Sequence, residues 1–174
     1  MLGDGGVGKS AIRERFLGRA FKSNYLATIG ADFATKSITI NDISYKLQIW
    51  DLAGQQHFSK VRSLYYKGSH AYIIVYDVTR IPSFENVLLW IEEIIQNSNS
   101  SNFSITLAAN KIDLRIDSDL THIPKNQGII LQKSIIEKIP SSTIKIFETS
   151  AKTNENIEEL FLETAKSIIE SEDS

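Results

Sequence analysis

The stretch Gly3-Asp4-Gly5-Gly6-Val7-Gly8-Lys9-Ser10 limits what this chain can become more than any other. Gly, four residues, then Gly-Lys-Ser is the pattern of a loop that cradles phosphate and opens a helix. Glycines, lacking a β-carbon, let successive backbone N–H groups turn inward as a nest around anionic oxygens. Lys9 is placed to reach β- and γ-phosphates and the Ser10 hydroxyl to ligate Mg²⁺, while the helix that follows aims its positive dipole end at the same anion. A plain Gly-rich turn is the competing explanation. In a chain of this length the full pattern arises by chance with a probability of only about 1%. Such a loop should follow a β-strand, yet only Met1 and Leu2 precede it.

Further along, apolar runs alternate with helical patterns. Ser10 to about Gly18 reads as a helix with Ile12, Phe16 and Leu17 on one face. Phe33–Ile40 and Ile43–Trp50 read as strands joined by the two-residue turn Asn41-Asp42. A polar stretch then runs to Lys67. Ala71–Val78 and Phe103–Ala109 are short β-rich runs of buried character, and between them Ser83 is expected to cap one helix reaching about Asn97. A helix over Asn126–Lys138, a strand at Ile144–Phe147 and a terminal helix capped near Asn154 complete the chain. The alternation predicts an α/β fold: a mostly parallel central sheet with one antiparallel edge hairpin and helices on both faces. Ligands of such sheets sit beyond the carboxyl ends of the strands. The phosphate loop, Asp51-Leu52-Ala53-Gly54-Gln55, Asn110-Lys111-Ile112-Asp113 and Ser150-Ala151-Lys152 all fall at those ends.

Composition excludes several alternatives. The 174 residues suit a single domain spanning residues 1–174, with 42% hydrophobic and 23% charged residues. A net charge of −2 argues against a nucleic-acid binder. With no cysteine, this sequence offers no disulfide, no thiolate zinc site and no thiol-linked lipid anchor. The reading is a cytoplasmic monomer. His57, His70 and His122 share no metal-ligand spacing.

The order of these motifs resembles the Ras superfamily of small GTPases, and its Rab branch in Ile29-Gly-Ala-Asp-Phe33, Lys46-Leu-Gln-Ile-Trp50, Tyr65-Tyr-Lys-Gly68 and Val75-Tyr-Asp-Val-Thr79. The resemblance implies a switch that binds GTP or GDP with Mg²⁺ and slowly hydrolyses GTP. Gly5, Gly6, Val7, Gly8, Lys9, Ser10 and Ala11 would then hold the phosphates. Ser10, Thr28 and Asp51 would hold the metal, and Phe21 and Tyr25 would lie against the nucleotide. Gly54 would offer its N–H to the γ-phosphate, and Gln55 would orient the attacking water. Asn110, Lys111 and Asp113 would read the base with Ser150, Ala151 and Lys152. A carboxylate at Asp113 accepts from the N1–H and exocyclic amine of guanine, a donor pair that adenine lacks, which argues against an ATPase. Phe33, Trp50 and Tyr65 match an aromatic triad offered to effectors, with core packing an equal alternative for Trp50. Exchange factors and GTPase-activating proteins are the other implied partners. No arginine is evidently placed to assist hydrolysis from within the chain, so a trans-acting activator is expected.

Departures from the family are also visible. Leu52 stands where Thr is usual, and Gln56-His57 where a Glu-Arg pair is common. The connection from Asp113 to Glu148 is long. The first strand is almost wholly missing, so the sequence is expected to begin late, near the end of that strand. A nucleotide-bound module that does not cycle is the rival reading.

Overall fold

A computed structural model describes residues 1–23, 27–55, 58–99 and 103–172. Two sheets organise it. Strands β1 (Ala31–Ile40) and β2 (Ile43–Leu52) form an antiparallel hairpin. Its turn residues Asn41 and Asp42 have φ of 50° and 63°, the left-handed conformation that a tight two-residue turn demands and that Asn and Asp tolerate. Strands β3 (Ala71–Asp77), β4 (Ser104–Asn110) and β5 (Thr143–Thr149) lie parallel in that order, and every residue of β4 is buried.

Met1 and Leu2 stitch the two sheets together. Met1 donates to Trp50 O (2.5 Å) and accepts from Leu52 N–H (3.3 Å); Leu2 donates to Ile73 O (2.8 Å) and accepts from Val75 N–H (2.9 Å). Each pairing is the slanted pattern of parallel strands. Beside Met1, β2 and β3 flank a groove of about 500 Å³, lined by Tyr45–Trp50 on one side, by Ala71–Ile73 on the other, and by Phe161 and Ile168.

Strand β3 shows how the layers form. Its alternate residues Ile73 and Val75 join one core with Ile12 and Phe16 of helix α1 (Lys9–Phe16) and Leu160 and Phe161 of the last helix. Tyr72, Ile74 and Tyr76 join the opposite core with Trp90, Ile91 and Ile94. Period-2 alternation thus distributes one strand between two helical layers.

Helix boundaries depart from the pattern reading in two places. The polar stretch before Lys67 holds α2 (Ser59–Tyr66). Its inward positions include Arg62 and Tyr66, one turn apart, and both bond the carboxylate of Glu93, so hydropathy does not betray the stripe. The helix expected to begin at Ser83 is two: α3 (Ile81–Glu85), which opens with Pro82 in its first turn, and α4 (Val87–Asn97). Ser83 lies inside α3, where its hydroxyl donates to Arg80 O (2.8 Å) and accepts the Asp77 N–H (3.0 Å). Helices α5 (Lys125–Lys138) and α6 (Ile157–Glu172) complete the layers, and no described helix is long and apolar enough to cross a membrane.

Candidate functional site

The carboxyl ends of the strands converge. Asp51 is at the end of β2, and the register aligns Asp77 of β3 with Asn110 of β4 and Thr149 of β5. Above them lies a cavity of about 600 Å³. Its wall includes Gly5, Gly6 and Gly8 to Ala11 of the phosphate loop, with Phe21, Thr28, Gly54, Gln55 and Lys111.

Close backbone approaches at its glycines shape the loop. Gly8 caps α1 with φ 102°, and a β-carbon there would stand 2.3 Å from Asn110 Nδ2. That close approach lets Asn110 donate to Val7 O (2.8 Å) while its Oδ1 accepts from Thr149 Oγ1 and Ala151 N–H, both at 3.3 Å. Asn110 therefore ties the phosphate loop to the 149–151 loop. Gly54 is equally constrained, because a β-carbon would lie 2.4 Å from Gly3 O and 2.5 Å from Gly5 N.

Lys9 is buried, and its ammonium donates to Gly3 O (2.7 Å) and Asp4 O (2.9 Å). Burial draws its pKa down from the usual lysine value to about 8, against the pull of the Asp51 and Asp4 carboxylates. Three oxygen-bearing side chains from three separate segments meet beside it. Ser10 Oγ donates to Asp51 Oδ2, stands 3.1 Å from Thr28 Oγ1, and Thr28 Oγ1 lies 3.5 Å from the same carboxylate oxygen. The other oxygen, Asp51 Oδ1, is buried without a protein partner. A hard cation with oxygen ligands fits this cluster, since a buried carboxylate oxygen otherwise has nothing to satisfy it. Gln55 Oε1 is likewise a buried acceptor without a partner.

Of the residues expected to read the base, Lys111 lines the cavity, while Asn110, Asp113, Ser150, Ala151 and Lys152 sit outside its wall. Lys111 has φ 68°, and its ammonium pairs with Asp77 at 2.5 Å. Burial opposes ionisation of Asp77, but the Lys111 ammonium and the donors of Thr79 outweigh it and hold the carboxyl below its usual range. Asp113 Oδ1 accepts from Ser150 Oγ (2.6 Å), and Lys152 approaches its other oxygen at 3.7 Å. Phe21 is 40% exposed at the cavity rim, so it is not an ordinary core residue. Phe33, Trp50 and Tyr65 form a row with ring centroids 4.5 and 4.8 Å apart; Phe33 is exposed, and Trp50 and Tyr65 rest partly on the core. Tyr25, Gln56 and His57 lie outside the described residues.

Pattern reading missed the supports. Asn86 Nδ2 (2.9 Å) and Trp90 Nε1 (3.1 Å) grip the Asp4 carboxylate. Arg62, anchored on Glu93, donates to Ala53 O (3.0 Å) and Gln55 O (2.8 Å), so α4 steadies both the phosphate loop and the loop carrying Gln55. Arg80 donates to Gly5 O (2.9 Å), a contact between an arginine and the phosphate loop that the sequence did not suggest. Asp77 had a legible signal: like Asp51 and Asn110, it ends an apolar run. Arg80 and Asp4 had none.

The sequence profile of the Ras family matches residues 1–170. An Arabidopsis thaliana protein described as Ras-related protein RABE1e is 39% identical over 168 residues, which span 97% of this chain and 72% of that protein. GTP-binding protein yptV2 of Volvox carteri is 38% identical over 169 residues, with 97% of this chain and 73% of its own length covered. Ras-related protein Rab-10 of Diplobatis ommata is 35% identical over 170 residues, 98% of this chain and 80% of its own.

Proposed function

The chain belongs to the Ras family of small GTPases, and from that premise we propose that it is a Rab-like, Mg²⁺-dependent switch whose slow GTP hydrolysis is carried by the residues just described. As a member of that family it binds guanine nucleotide and is a GTPase. The observation that carries the finer reading is the meeting of Ser10, Thr28 and Asp51 beside Lys9, with Asp51 Oδ1 left unpartnered.

In this reading the backbone N–H groups from Gly6 to Ser10 and the Lys9 ammonium hold the phosphates, and Phe21 lies over the nucleotide at the cavity rim. Ser10, Thr28 and Asp51 would hold Mg²⁺, which when bound would supply neutralisation of the phosphate charge. Gln55 presents its free Oε1 as the acceptor that orients the attacking water, and the Gly54 N–H answers the γ-phosphate. Asp113, braced by Ser150, accepts from the guanine edge, and Asn110 keeps that edge in register with the phosphate loop. Such catalysis is positioning and charge stabilisation, so turnover by the chain alone is slow. Loss of the γ-phosphate removes the contacts of Thr28 and Gly54 and releases both loops. Phe33, Trp50 and Tyr65, adjoining those loops, are the surface on which effectors read the state.

Phosphate release from purified protein loaded with GTP tests this. Gln55→Leu should slow release by at least about tenfold, the scale of losing one positioned group, with GTP affinity unchanged. Hydrolysis unaffected by that change would remove Gln55 from its role. Equal affinity for ATP and GTP would remove Asp113 from its own.

A further inference from the structure

Arg80 follows β3 and precedes α3, outside every motif discussed so far. Its Nη2 donates to Gly5 O at 2.9 Å and stands 4.0 Å from Asp4 Oδ2, while a β-carbon on Gly6 would lie 3.8 Å from its Nη1. The guanidinium thus lies along the outer side of the loop at its glycine-rich middle. It borders a second cavity of about 410 Å³ that shares Gly5 and Gly54 with the nucleotide cavity.

The geometry of a trans peptide gives this contact a consequence. In one rigid plane, the carbonyl of residue i and the N–H of residue i+1 point in opposite directions. With Gly5 O held outward by Arg80, the Gly6 N–H is turned the other way, toward the cavity that Gly5 and Gly6 both line. Glycine on both sides of this peptide leaves the plane otherwise free to rotate. Asp4 is fixed independently by Asn86 and Trp90, so the chain entering this peptide is held as well.

We propose that Arg80 is an intramolecular positioning residue for GTP hydrolysis, which locks the Gly5–Gly6 peptide with its N–H aimed at the terminal phosphate. The proposal rests on the GTPase reading above. Arg80 itself does not touch substrate; it acts through one backbone donor that is worth most where charge collects in the transition state. A surface arginine engaged only in a loose ion pair with Asp4 is the alternative, and such pairs contribute little.

The test is single-turnover hydrolysis of preloaded GTP, with GDP affinity and melting temperature measured on the same samples. Arg80→Ala should slow the hydrolytic step by about tenfold, below the full loss expected when such a donor is deleted. GDP affinity should change by less than about threefold, because GDP has no γ-phosphate to lose, and melting by little. Arg80→Lys keeps a donor of similar reach and should restore the rate to within about threefold of the parent. Arg80→Met, which keeps the stem and removes the donor, should show the same loss of about tenfold and decides the question if the alanine variant does not fold. Unchanged hydrolysis in Arg80→Ala, or a fall in rate matched by an equal fall in GDP affinity, overturns the proposal while leaving the GTPase reading intact. A parent protein that binds GTP and hydrolyses none overturns both.

Discussion

Asp77 ends β3, Lys111 directly follows β4, and the two meet in a 2.5 Å ion pair, which holds Lys111 at the wall of the 600 Å³ cavity in its left-handed conformation. Asp77→Asn should free Lys111 and cost about 1 kcal/mol of bound-state order, a roughly five- to tenfold faster release of GDP. Stopped-flow release of fluorescent GDP measures it.

The same carboxyl gives a pH dependence. Its folded pKa is depressed, so the unfolded chain takes up the proton first on acidification. Its contribution to stability is complete above the unfolded aspartate pKa of about 3.9 and is lost as pH falls through the lower folded value. Melting temperature followed down from pH 6 should therefore decline more steeply in the parent than in Asp77→Asn. Parallel curves would show that Asp77 carries none of the acid sensitivity.

How much of this was legible in the sequence follows from what patterns can encode. Strands β3 and β4 were plain because a buried parallel strand must be continuously apolar, and the Asn41-Asp42 turn was plain because few residues accept its φ. The meeting of Ser10, Thr28 and Asp51, and of Asn110 with the loop at Val7, was foreshadowed because each belongs to a motif of fixed residue type and spacing. Helix α2 was hidden because its inward face carries an arginine and a tyrosine satisfied by Glu93, a partner 31 residues from Arg62. Arg80, Asp4, Asn86 and Trp90 were hidden for a related reason: their contacts cross from α3 and α4 to the loop, and nothing local requires them.

Glu93 receives both prongs of the buried Arg62, at 2.8 and 2.9 Å, and the Tyr66 hydroxyl at 2.9 Å. Removing it strands a buried guanidinium, which typically costs about 3–5 kcal/mol. Glu93→Ala should lower the melting temperature by roughly 6–20 °C at about 2–4 °C per kcal/mol for a chain of this size. Hydrolysis should fall as well, because Arg62 also holds the carbonyls of Ala53 and Gln55. Thermal melting and phosphate release on one preparation check the two effects together.

Gly8 has no room for a methyl group on two counts. Its φ of 102° strains any other residue, and the added β-carbon would sit 2.3 Å from Asn110 Nδ2. The backbone cost alone is about 1–3 kcal/mol. Displacing Asn110 would also break its bond to Val7 O and loosen the 149–151 loop. Gly8→Ala should thus lose guanine-nucleotide affinity beyond about tenfold even in samples that remain folded by circular dichroism. Full retention of affinity would mean that the tie through Asn110 is dispensable.

The oxygen cluster makes the last prediction. Ser10 Oγ, Thr28 Oγ1 and Asp51 Oδ2 lie within 3.5 Å of one another, and Asp51 Oδ1 is buried without a donor. Leaving that oxygen unsatisfied costs about 1–3 kcal/mol, a penalty a bound cation would relieve. Magnesium and nucleotide should therefore bind as a linked pair, each raising the affinity of the other by the same factor. Excess EDTA should speed release of GDP by at least about tenfold, equivalent to about 1.4 kcal/mol. Asp51→Asn, which keeps the shape and removes the charge, should release GDP quickly with or without the chelator. Release from the parent that ignores EDTA would show that these three side chains do not hold a metal for the nucleotide.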